Sequence, residues 1–282
     1  MPVTRSQAQA ARWTRIPLAG GGKETLLSEV GAQYLLPLFS TRDACALRLV
    51  CREFLAAVSE QPWKDIETVI QGSIAAWRAC FPRARWANVQ SGPYRPRRGP
   101  PVVDADFVHF EGVRWLRMTG SRGVTDAAFV HLRGIRVLDM SGCNQGGITD
   151  AAFAHLRGIH TLYMSGCFQD GITDAAFAHL RGIHTLRMNF CWQTGITDAA
   201  FVHLRGIHTL NMGFCRQGGI TDAAFAHLRG IHTLDMVHCS WLRITDAAFV
   251  HLRGIRKLDM SYCRPAHIAA ARALGLPVVI FA

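Results

Sequence analysis

The chain contains almost no lysine and no long apolar segment. Only three of its 31 basic side chains are lysines, and the other 28 are arginines. Its longest wholly apolar run, 276–282, is far too short to cross a bilayer. The first 23 residues lack the apolar centre of a secretory signal, and their polar composition predicts a disordered lead-in. We therefore expect no membrane partner and a cytoplasmic or nuclear location.

Motifs of the common enzyme classes are also missing. The sequence has no glycine-rich phosphate loop, no nucleophile elbow and no HExxH pair. Asp, His and Thr are frequent, but they recur at fixed repeat positions, which is typical of scaffold residues. We expect no catalytic residue, no cofactor and no enzymatic activity.

The net charge of +11 is concentrated outside the repeats described below. Residues 1–101 carry 14 basic and 7 acidic side chains, a net +7, whereas residues 102–282 carry 17 and 13, a net +4. Basic patches attract phosphate non-specifically, so a nucleic-acid-associated protein is one open hypothesis. Because the excess of Arg over Lys is typical of a GC-rich coding sequence, we attribute the charge to composition and do not expect a nucleic-acid ligand.

One 24-residue unit occurs six times in succession. The copies begin at Val124, Ile148, Ile172, Ile196, Ile220 and Ile244, and three of them share the letters GITDAAFAHLRGIHTL. A fixed period in the twenties is typical of a solenoid, in which each unit buries its apolar side against its neighbours. A shorter copy precedes them from position 102, and a degenerate one is predicted near 79–89. A helix at 267–274 and a strand at 278–281 are predicted to close the far end.

Within one copy, the residue types predict a short helix followed by a strand. In the copy that begins at Ile148, Thr149 or Asp150 caps the helix, Arg157 falls in its last turn, and Gly158 supports the left-handed turn that ends it. The strand then directs three side chains outward, those of Thr161, Tyr163 and Ser165.

Two histidines and one cysteine also recur with the repeat. The first histidine column is His131, His155, His179, His203, His227 and His251, the second is His160, His184, His208 and His232, and the cysteine column is Cys143, Cys167, Cys191, Cys215, Cys239 and Cys263. A zinc site needs three or four converging ligands, whereas a column supplies one group per repeat. We therefore expect no metal site and interpret the thiols as buried packing groups in a reducing compartment.

The segment between positions 26 and 63 changes to helical spacing. Its run DACALRLVCREF, at 43–54, resembles the second half of an F-box, and Trp63 stands where that family commonly ends in Trp. The first half, LLSEV at 26–30, lacks the usual Pro. The resemblance implies an adaptor-binding face made of Leu26, Leu27, Glu29, Val30, Leu47, Leu49, Val50 and Cys51. An ordinary helical cap for the solenoid is the alternative.

The repeat itself resembles a known family. The order apolar-x-x-Leu-x-Met-x-x-Cys followed by Ile-Thr-Asp is similar to the cysteine-containing leucine-rich repeat over about residues 102–281. The resemblance implies an α/β solenoid with parallel strands on the concave face and short helices outside. An F-box followed by such repeats looks like the substrate receptors of Skp–cullin–F-box ubiquitin ligases. It also looks like the F-box and repeat proteins of giant DNA viruses, which would act in the host cell.

Outward positions near each strand vary between copies, while the rest of the unit hardly changes. Aromatic and Arg side chains at such positions are typical of interface hot spots, although drift without packing constraint would leave the same contrast. We expect a protein substrate to contact Tyr163, Arg187, Asn189, Phe190, Trp192, Asn211, Phe214, Arg216, Asp235 and His238.

These patterns predict four regions. They are a lead-in at 1–23, an F-box-like helical domain at 24–64, a connector with a degenerate repeat and a Pro/Arg-rich loop at 65–101, and the solenoid at 102–282. The main hypothesis is a substrate receptor that docks a Skp-type adaptor and cullin complex through its helices. The alternative is an interaction scaffold of leucine-rich repeats without a link to ubiquitin ligases.

Overall fold

A computed structural model describes residues 36–49, 52–90, 100–144, 146–239 and 243–280. Its centre is a sheet of nine parallel strands whose spatial order follows the chain. The strands are β1 Trp86–Asn88, β2 Trp115–Arg117, β3 Val137–Asp139, β4 Thr161–Tyr163, β5 Thr185–Arg187, β6 Thr209–Asn211, β7 Thr233–Asp235, β8 Lys257–Asp259 and β9 Val278–Val279.

Short helices lie between the strands. The α-helices are α1 Thr41–Leu47, α2 Arg52–Glu60, α3 Ile74–Cys80, α4 Asp126–Phe129, α5 Asp150–Phe153, α6 Asp174–Phe177, α7 Asp198–Phe201, α8 Asp222–Ala226 and α9 Pro265–Ala273. The 3-10 helices are Leu36–Leu38, Asp104–Phe110, Val130–Leu132, Ala154–Leu156, Ala178–Leu180, Val202–Leu204 and Asp246–Leu252. In the described part of the chain, no helix has the length and apolar character needed to span a bilayer.

Because the period is constant, each inward residue lies beside the equivalent residue of the next repeat. Leu162 of β4 pairs with Leu186 of β5, and Leu186 pairs with Leu210 of β6. The Phe, Leu, Ile, Met and Cys columns on the helix side of the sheet are buried through the repeats. Each unit therefore completes its core only against its neighbours. This architecture confirms the predicted α/β solenoid of leucine-rich repeats.

Side-chain hydrogen bonds fasten each repeat to the next. The hydroxyl of Thr149 accepts a hydrogen bond from the backbone nitrogen of Ala151, so Thr149 caps the helix. The carboxylate of Asp150 instead accepts bonds from the backbone nitrogen and the hydroxyl of Thr173, both at 2.7 Å. The sequence predicts either Thr149 or Asp150 as the helix cap. In the structure Thr149 is the cap, and Asp150 links its repeat to the next one.

The recurring cysteine acts in the turn after each strand. The Cys191 thiol donates a hydrogen bond to the Met164 carbonyl at 3.2 Å, and the Gln193 side-chain amide donates to the Cys167 carbonyl at 2.7 Å. Burial raises the pKa of Cys191 to about 12, which keeps this thiol protonated as a donor. The Gln193 amide thereby gives the Cys167 carbonyl a partner. The Met164 carbonyl accepts from the Cys191 thiol in addition to the backbone nitrogen of Cys167, which lies 3.2 Å away.

Helices α2 and α3 cover the first end of the solenoid. The indole nitrogen of Trp63 donates to the Val58 carbonyl at 2.8 Å, and its ring meets Phe81 edge-on at 5.6 Å. The ring centre of Trp77 in α3 lies 6.2 Å from that of Phe110 in the shorter copy that begins at position 102. This aromatic cluster protects the apolar end that an open solenoid would expose to water.

Local details differ from the sequence predictions in four places. Within the connector, the residue pattern of 70–77 predicts a helix, but helix α3 begins at Ile74, directly after its cap residue Ser73, and continues to Cys80. Arg157 follows the last helical turn with an extended ψ of 129°, so it does not lie within the helix. Thr161 is predicted to point outward but is buried, with its hydroxyl 3.1 Å from the ring nitrogen of His160.

The fourth difference concerns Leu47 and Leu49, which the F-box resemblance places together on one adaptor-binding face. Helix α1 ends at Leu47, and Leu49 lies in the following turn with 88% of its surface exposed. The two residues therefore do not share a face of one continuous helix.

Candidate interaction surface

One row of candidate residues crosses the sheet on the face opposite the helices. Tyr163, Arg187, Asn211 and Asp235 occupy matching positions on β4 to β7. The Arg187 guanidinium lies 4.9 Å from the Tyr163 ring centre, and the Asn211 amide donates to Asp235 at 2.7 Å. Burial, together with the nearby Asp259, raises the pKa of Asp235. Contacts between neighbouring repeats thus hold this row in a defined arrangement.

A second row follows the carboxyl ends of β5 to β8. We call Phe190, Phe214, His238 and Tyr262 the aromatic ridge, because their rings stack face to face along the solenoid. The centroid distances are 4.3 Å for Phe190 and Phe214, 4.6 Å for Phe214 and His238, and 4.6 Å for His238 and Tyr262. Phe190 and Tyr262, the two ends, remain 41% and 55% exposed. The ridge is a continuous, partly exposed aromatic surface.

All four ridge residues have left-handed backbone conformations. Their φ angles lie between 56° and 59°, a region that disfavours residues with a Cβ atom. The equivalent positions of the earlier copies are Gly120, Gly142 and Gly166, with φ between 67° and 70°. The turn therefore requires this conformation in every copy, and only the later copies place a bulky ring there.

Trp192 connects the ridge to a third row, which consists of Phe168, Trp192 and Arg216, the residues directly after the repeat cysteines. Its indole nitrogen donates to the Phe214 carbonyl at 3.0 Å, its ring lies 5.1 Å from that of Phe168, and the Arg216 guanidinium lies 5.2 Å from it. Asn189 accepts a hydrogen bond from Ser165 at 3.3 Å. All ten predicted substrate contacts thus lie on the open face of the sheet or along its carboxyl edge.

Two further residues belong to this surface by their contacts. Phe168 extends the Trp192 cluster, and Tyr262 ends the aromatic ridge, yet neither is among the ten candidates. The sequence signal for Tyr262 is its position, which matches Phe190 and Phe214 in earlier copies. The stacking itself cannot be recognised from the sequence, because it joins residues of different repeats.

The predicted adaptor-binding residues are only partly described. Leu47 is half-buried at the end of α1, and Leu49 is exposed beyond it. The remaining candidates, Leu26, Leu27, Glu29, Val30, Val50 and Cys51, lie outside the described residues.

The second histidine column forms a stack at the opposite, amino edge of the sheet. Ring centroids are 4.6 Å apart for His160 and His184, 4.4 Å for His184 and His208, and 4.1 Å for His208 and His232. Within the described ranges, no group of three or more His, Cys, Asp or Glu side chains is placed to hold a metal ion.

The solved structures that resemble this fold include two complexes. One is the complex of TLR13 with the single-stranded RNA ssRNA13, with a TM-score of 0.51 and 14% identity over 69% of this chain and 27% of that chain. The other is the glycosylated Toll–Spätzle complex of Drosophila, with a TM-score of 0.54 and 13% identity over 68% of this chain and 26% of that chain. This chain therefore spans about a quarter of the length of either neighbour. No protein-family model and no curated protein matches the sequence.

At this low identity the likeness establishes the fold alone. Both neighbours are leucine-rich-repeat proteins, so the comparisons and the nine-stranded parallel sheet agree on the class of structure. The chain is a leucine-rich-repeat solenoid.

Proposed function

We propose that this chain is a protein-interaction scaffold that binds a protein partner through the aromatic ridge and the adjoining open face of the sheet. The two structural neighbours are themselves complexes, one with RNA and one with Spätzle, and both use a leucine-rich-repeat chain. The observation that carries the proposal is the left-handed conformation of the four ridge residues.

A side chain in this conformation costs about 1–2 kcal/mol relative to the ordinary helical region. Glycine avoids that cost and occupies the same turn in Gly142 and Gly166. The inward columns are complete without the rings, which lie outside them and are partly exposed. Mutual stacking recovers some free energy, about 0.5–1.5 kcal/mol per pair, but leaves aromatic surface facing water. A partner that covers the ridge would bury this surface, as interface hot spots do.

The test places a photo-crosslinking amino acid, p-benzoylphenylalanine, at Phe190 in the full chain expressed in cells. The matched control carries the same group at Val202, which has the same exposed fraction of 41% but lies on the helix side. We expect protein adducts from position 190 and none of the same mass from position 202.

A second variant, F190G/F214G, separates binding from folding. It gives two copies the glycine that other copies already carry, so the fold should be retained. In this variant the crosslinker is moved to position 192, which forms adducts in the otherwise wild-type chain, and these adducts should disappear. Equal adducts from positions 190 and 202, or adducts that survive F190G/F214G, would show that the ridge is not the contact surface.

A substrate receptor of a Skp–cullin–F-box ubiquitin ligase is the second candidate. The resemblance at 43–54 supports it, as does Leu49, which projects from the turn after α1 with 88% of its surface exposed. An exposed leucine within an adaptor-binding motif is a plausible apolar contact for an adaptor. In this case the helices would bind the adaptor, and the aromatic ridge would bind the protein to be modified.

Co-purification with a Skp-type adaptor tests this second candidate. We expect the adaptor to be retained by the wild-type chain and lost on Leu49→Asp. Leu38→Asp is the matched control, because Leu38 is also exposed, at 73%, but lies outside the motif. If no adaptor is retained, or if both substitutions release it equally, the ubiquitin-ligase hypothesis fails and the scaffold proposal still stands.

A further inference from the structure

A row of exposed arginines runs along the amino edge of the sheet. Six copies place an Arg directly after the short helix and before β3 to β8, and every one is exposed. They are Arg133, Arg157, Arg181, Arg205, Arg229 and Arg253, and we call this row with its histidine partners the basic edge. Neighbouring strands lie about 4.8 Å apart, so the row extends about 24 Å along the sheet.

Four of the six arginines, those from Arg157 to Arg229, contact the histidine of the following copy. The Arg157 Nε donates to His179 Nδ1 at 3.3 Å, and the Arg181 Nε donates to His203 Nδ1 at 3.2 Å. Partial burial and the nearby Arg181 lower the pKa of His203, and Asp174 opposes this effect. The positive charge of Arg181 therefore acts on the neighbouring imidazole of His203.

The scaffold does not need a cation at this position. In the shorter copy that begins at position 102, the same place is taken by Glu111, which contacts His131 at 2.8 Å. A carboxylate therefore makes the equivalent contact to the next copy, yet the six following copies all carry Arg. The guanidinium groups supply a charge that the packing does not require.

Acidic groups are absent from the segments that form this edge. Residues 130–138, 154–162, 178–186, 202–210, 226–234 and 250–258 contain nine Lys or Arg, ten His and no Asp or Glu. The ion pairs of the described chain join Arg83 to Glu60, Arg117 to Asp139 and His131 to Glu111, so none of the six arginines forms an ion pair there. Arg157, His179 and Arg181 line an open depression of about 450 Å³.

We infer that the basic edge binds the phosphate backbone of a single-stranded nucleic acid. Evenly spaced guanidinium groups along a line can contact successive phosphates, and each such contact releases counterions. A single strand can follow a straight row for its whole length. A duplex cannot, because each of its strands turns to the far side within half a helical turn, about 17 Å, which is shorter than the row. The inference goes beyond the proposed function, because the aromatic ridge lies at the other edge of the sheet.

Along the sequence, the repeat region carries only a small net charge, +4 over residues 102–282. In the folded chain, the repeats separate their charges in space. The arginines lie at the amino edge, whereas the repeat aspartates lie at the helix starts and are engaged by threonines, as Asp150 is by Thr173. A small net charge in the sequence is therefore compatible with a strongly positive edge.

Binding of a labelled oligouridylate of about 20 nucleotides to the full chain tests the inference, with salt varied from about 0.05 M upward. The test variant is R157Q/R181Q/R205Q, since Gln can still hydrogen-bond to the histidines. The control is R42Q/R52Q/R272Q, which removes the same charge at exposed sites elsewhere. Thermal unfolding of each variant verifies that it is folded.

We expect R157Q/R181Q/R205Q to bind the oligonucleotide at least about tenfold more weakly at low salt. The slope of log K against log salt should also become smaller in magnitude by about 2. The control R42Q/R52Q/R272Q should change neither quantity by that amount. The variant F190G/F214G should bind the oligonucleotide normally. Equal weakening by both arginine triples would overturn the inference, because net charge alone would then explain binding.

Two other polyanions test which kind of negatively charged ligand the basic edge recognises. Inorganic polyphosphate that competes with oligouridylate through the same arginines supports phosphate recognition. If polyphosphate binds and oligouridylate does not, the nucleic-acid assignment is wrong. If poly-glutamate of equal charge competes as well as oligouridylate, the edge recognises acidic proteins and the phosphate assignment is wrong.

Discussion

The carboxylate of Asp174 accepts two hydrogen bonds from Thr197 of the following repeat, one from the backbone nitrogen and one from the hydroxyl, each at 2.7 Å. The same pair recurs at successive copies, for example between Asp198 and Thr221. The helix start of one unit is thereby bound to that of the next.

Asp174→Asn should destabilise the solenoid by about 1–3 kcal/mol. An amide accepts more weakly than a carboxylate and turns a donor toward the Thr197 donors, which removes a charge-assisted bond. The free energy of unfolding from urea titration measures the effect. Asp170→Asn, at an exposed position, removes the same charge and should change it by less than about 0.5 kcal/mol. A similar loss in both variants would assign the effect to net charge.

Gly195→Ala should also destabilise the protein, by about 1–3 kcal/mol, for a steric reason. A Cβ atom at this position would lie 2.9 Å from the Thr173 methyl carbon of the preceding copy. Gly218 is the control, because a Cβ atom there meets nothing within 4 Å and its φ is not in the left-handed region. Gly218→Ala should leave the unfolding midpoint unchanged or slightly raised. Equal midpoints for the two variants would mean that the repeats separate easily.

The column cysteines should resist alkylation while the chain is folded. Burial raises the pKa of Cys143 and of Cys191 to about 12, so at about pH 8 almost no thiolate forms and the sulfur is inaccessible. Partial burial raises the pKa of Cys45 as well, but this residue is exposed in α1 and should react before the buried column cysteines. Iodoacetamide treatment followed by peptide mass spectrometry measures each site, with a urea-unfolded sample as the control. Rapid modification of Cys191 without urea would show that the repeats open locally.

Acidification should weaken the folded state through the histidine stack. Partial burial lowers the pKa of His208, and His232, His184 and Arg256 lower it further. The folded chain therefore binds fewer protons at this site than the unfolded chain, whose histidine has a pKa of about 6.5. The stability contribution is complete above about pH 6.5 and is lost as the pH falls below that value.

Urea titrations between about pH 7.5 and 5.5 measure this loss. The variant His208→Asn should show a smaller decrease in the free energy of unfolding over that interval. His267→Gln, outside the stack, is the control and should keep the wild-type pH dependence. If His208→Asn behaves like the wild type, repulsion within the stack does not contribute.

The sequence alone determines the scaffold of this protein. A period of 24 residues matches the register of adjacent parallel strands. Each inward residue, such as Leu162, therefore packs against the equivalent residue of the next repeat, here Leu186. Gly158 at the left-handed position and Thr149 as the helix cap follow from local residue chemistry. The α/β solenoid and the position of most strands can therefore be predicted without coordinates.

The surface depends on contacts that the tertiary structure alone reveals. The Asp174–Thr197 bonds, the Phe190–Phe214 stack and the Arg157–His179 contact join residues more than 20 positions apart. Such contacts form only after the repeats stack, because stacking brings one position of every copy into a line. The sequence shows which residues vary and which are charged. Only the folded structure shows that the aromatic ridge lies along one edge of the sheet and the arginines along the other.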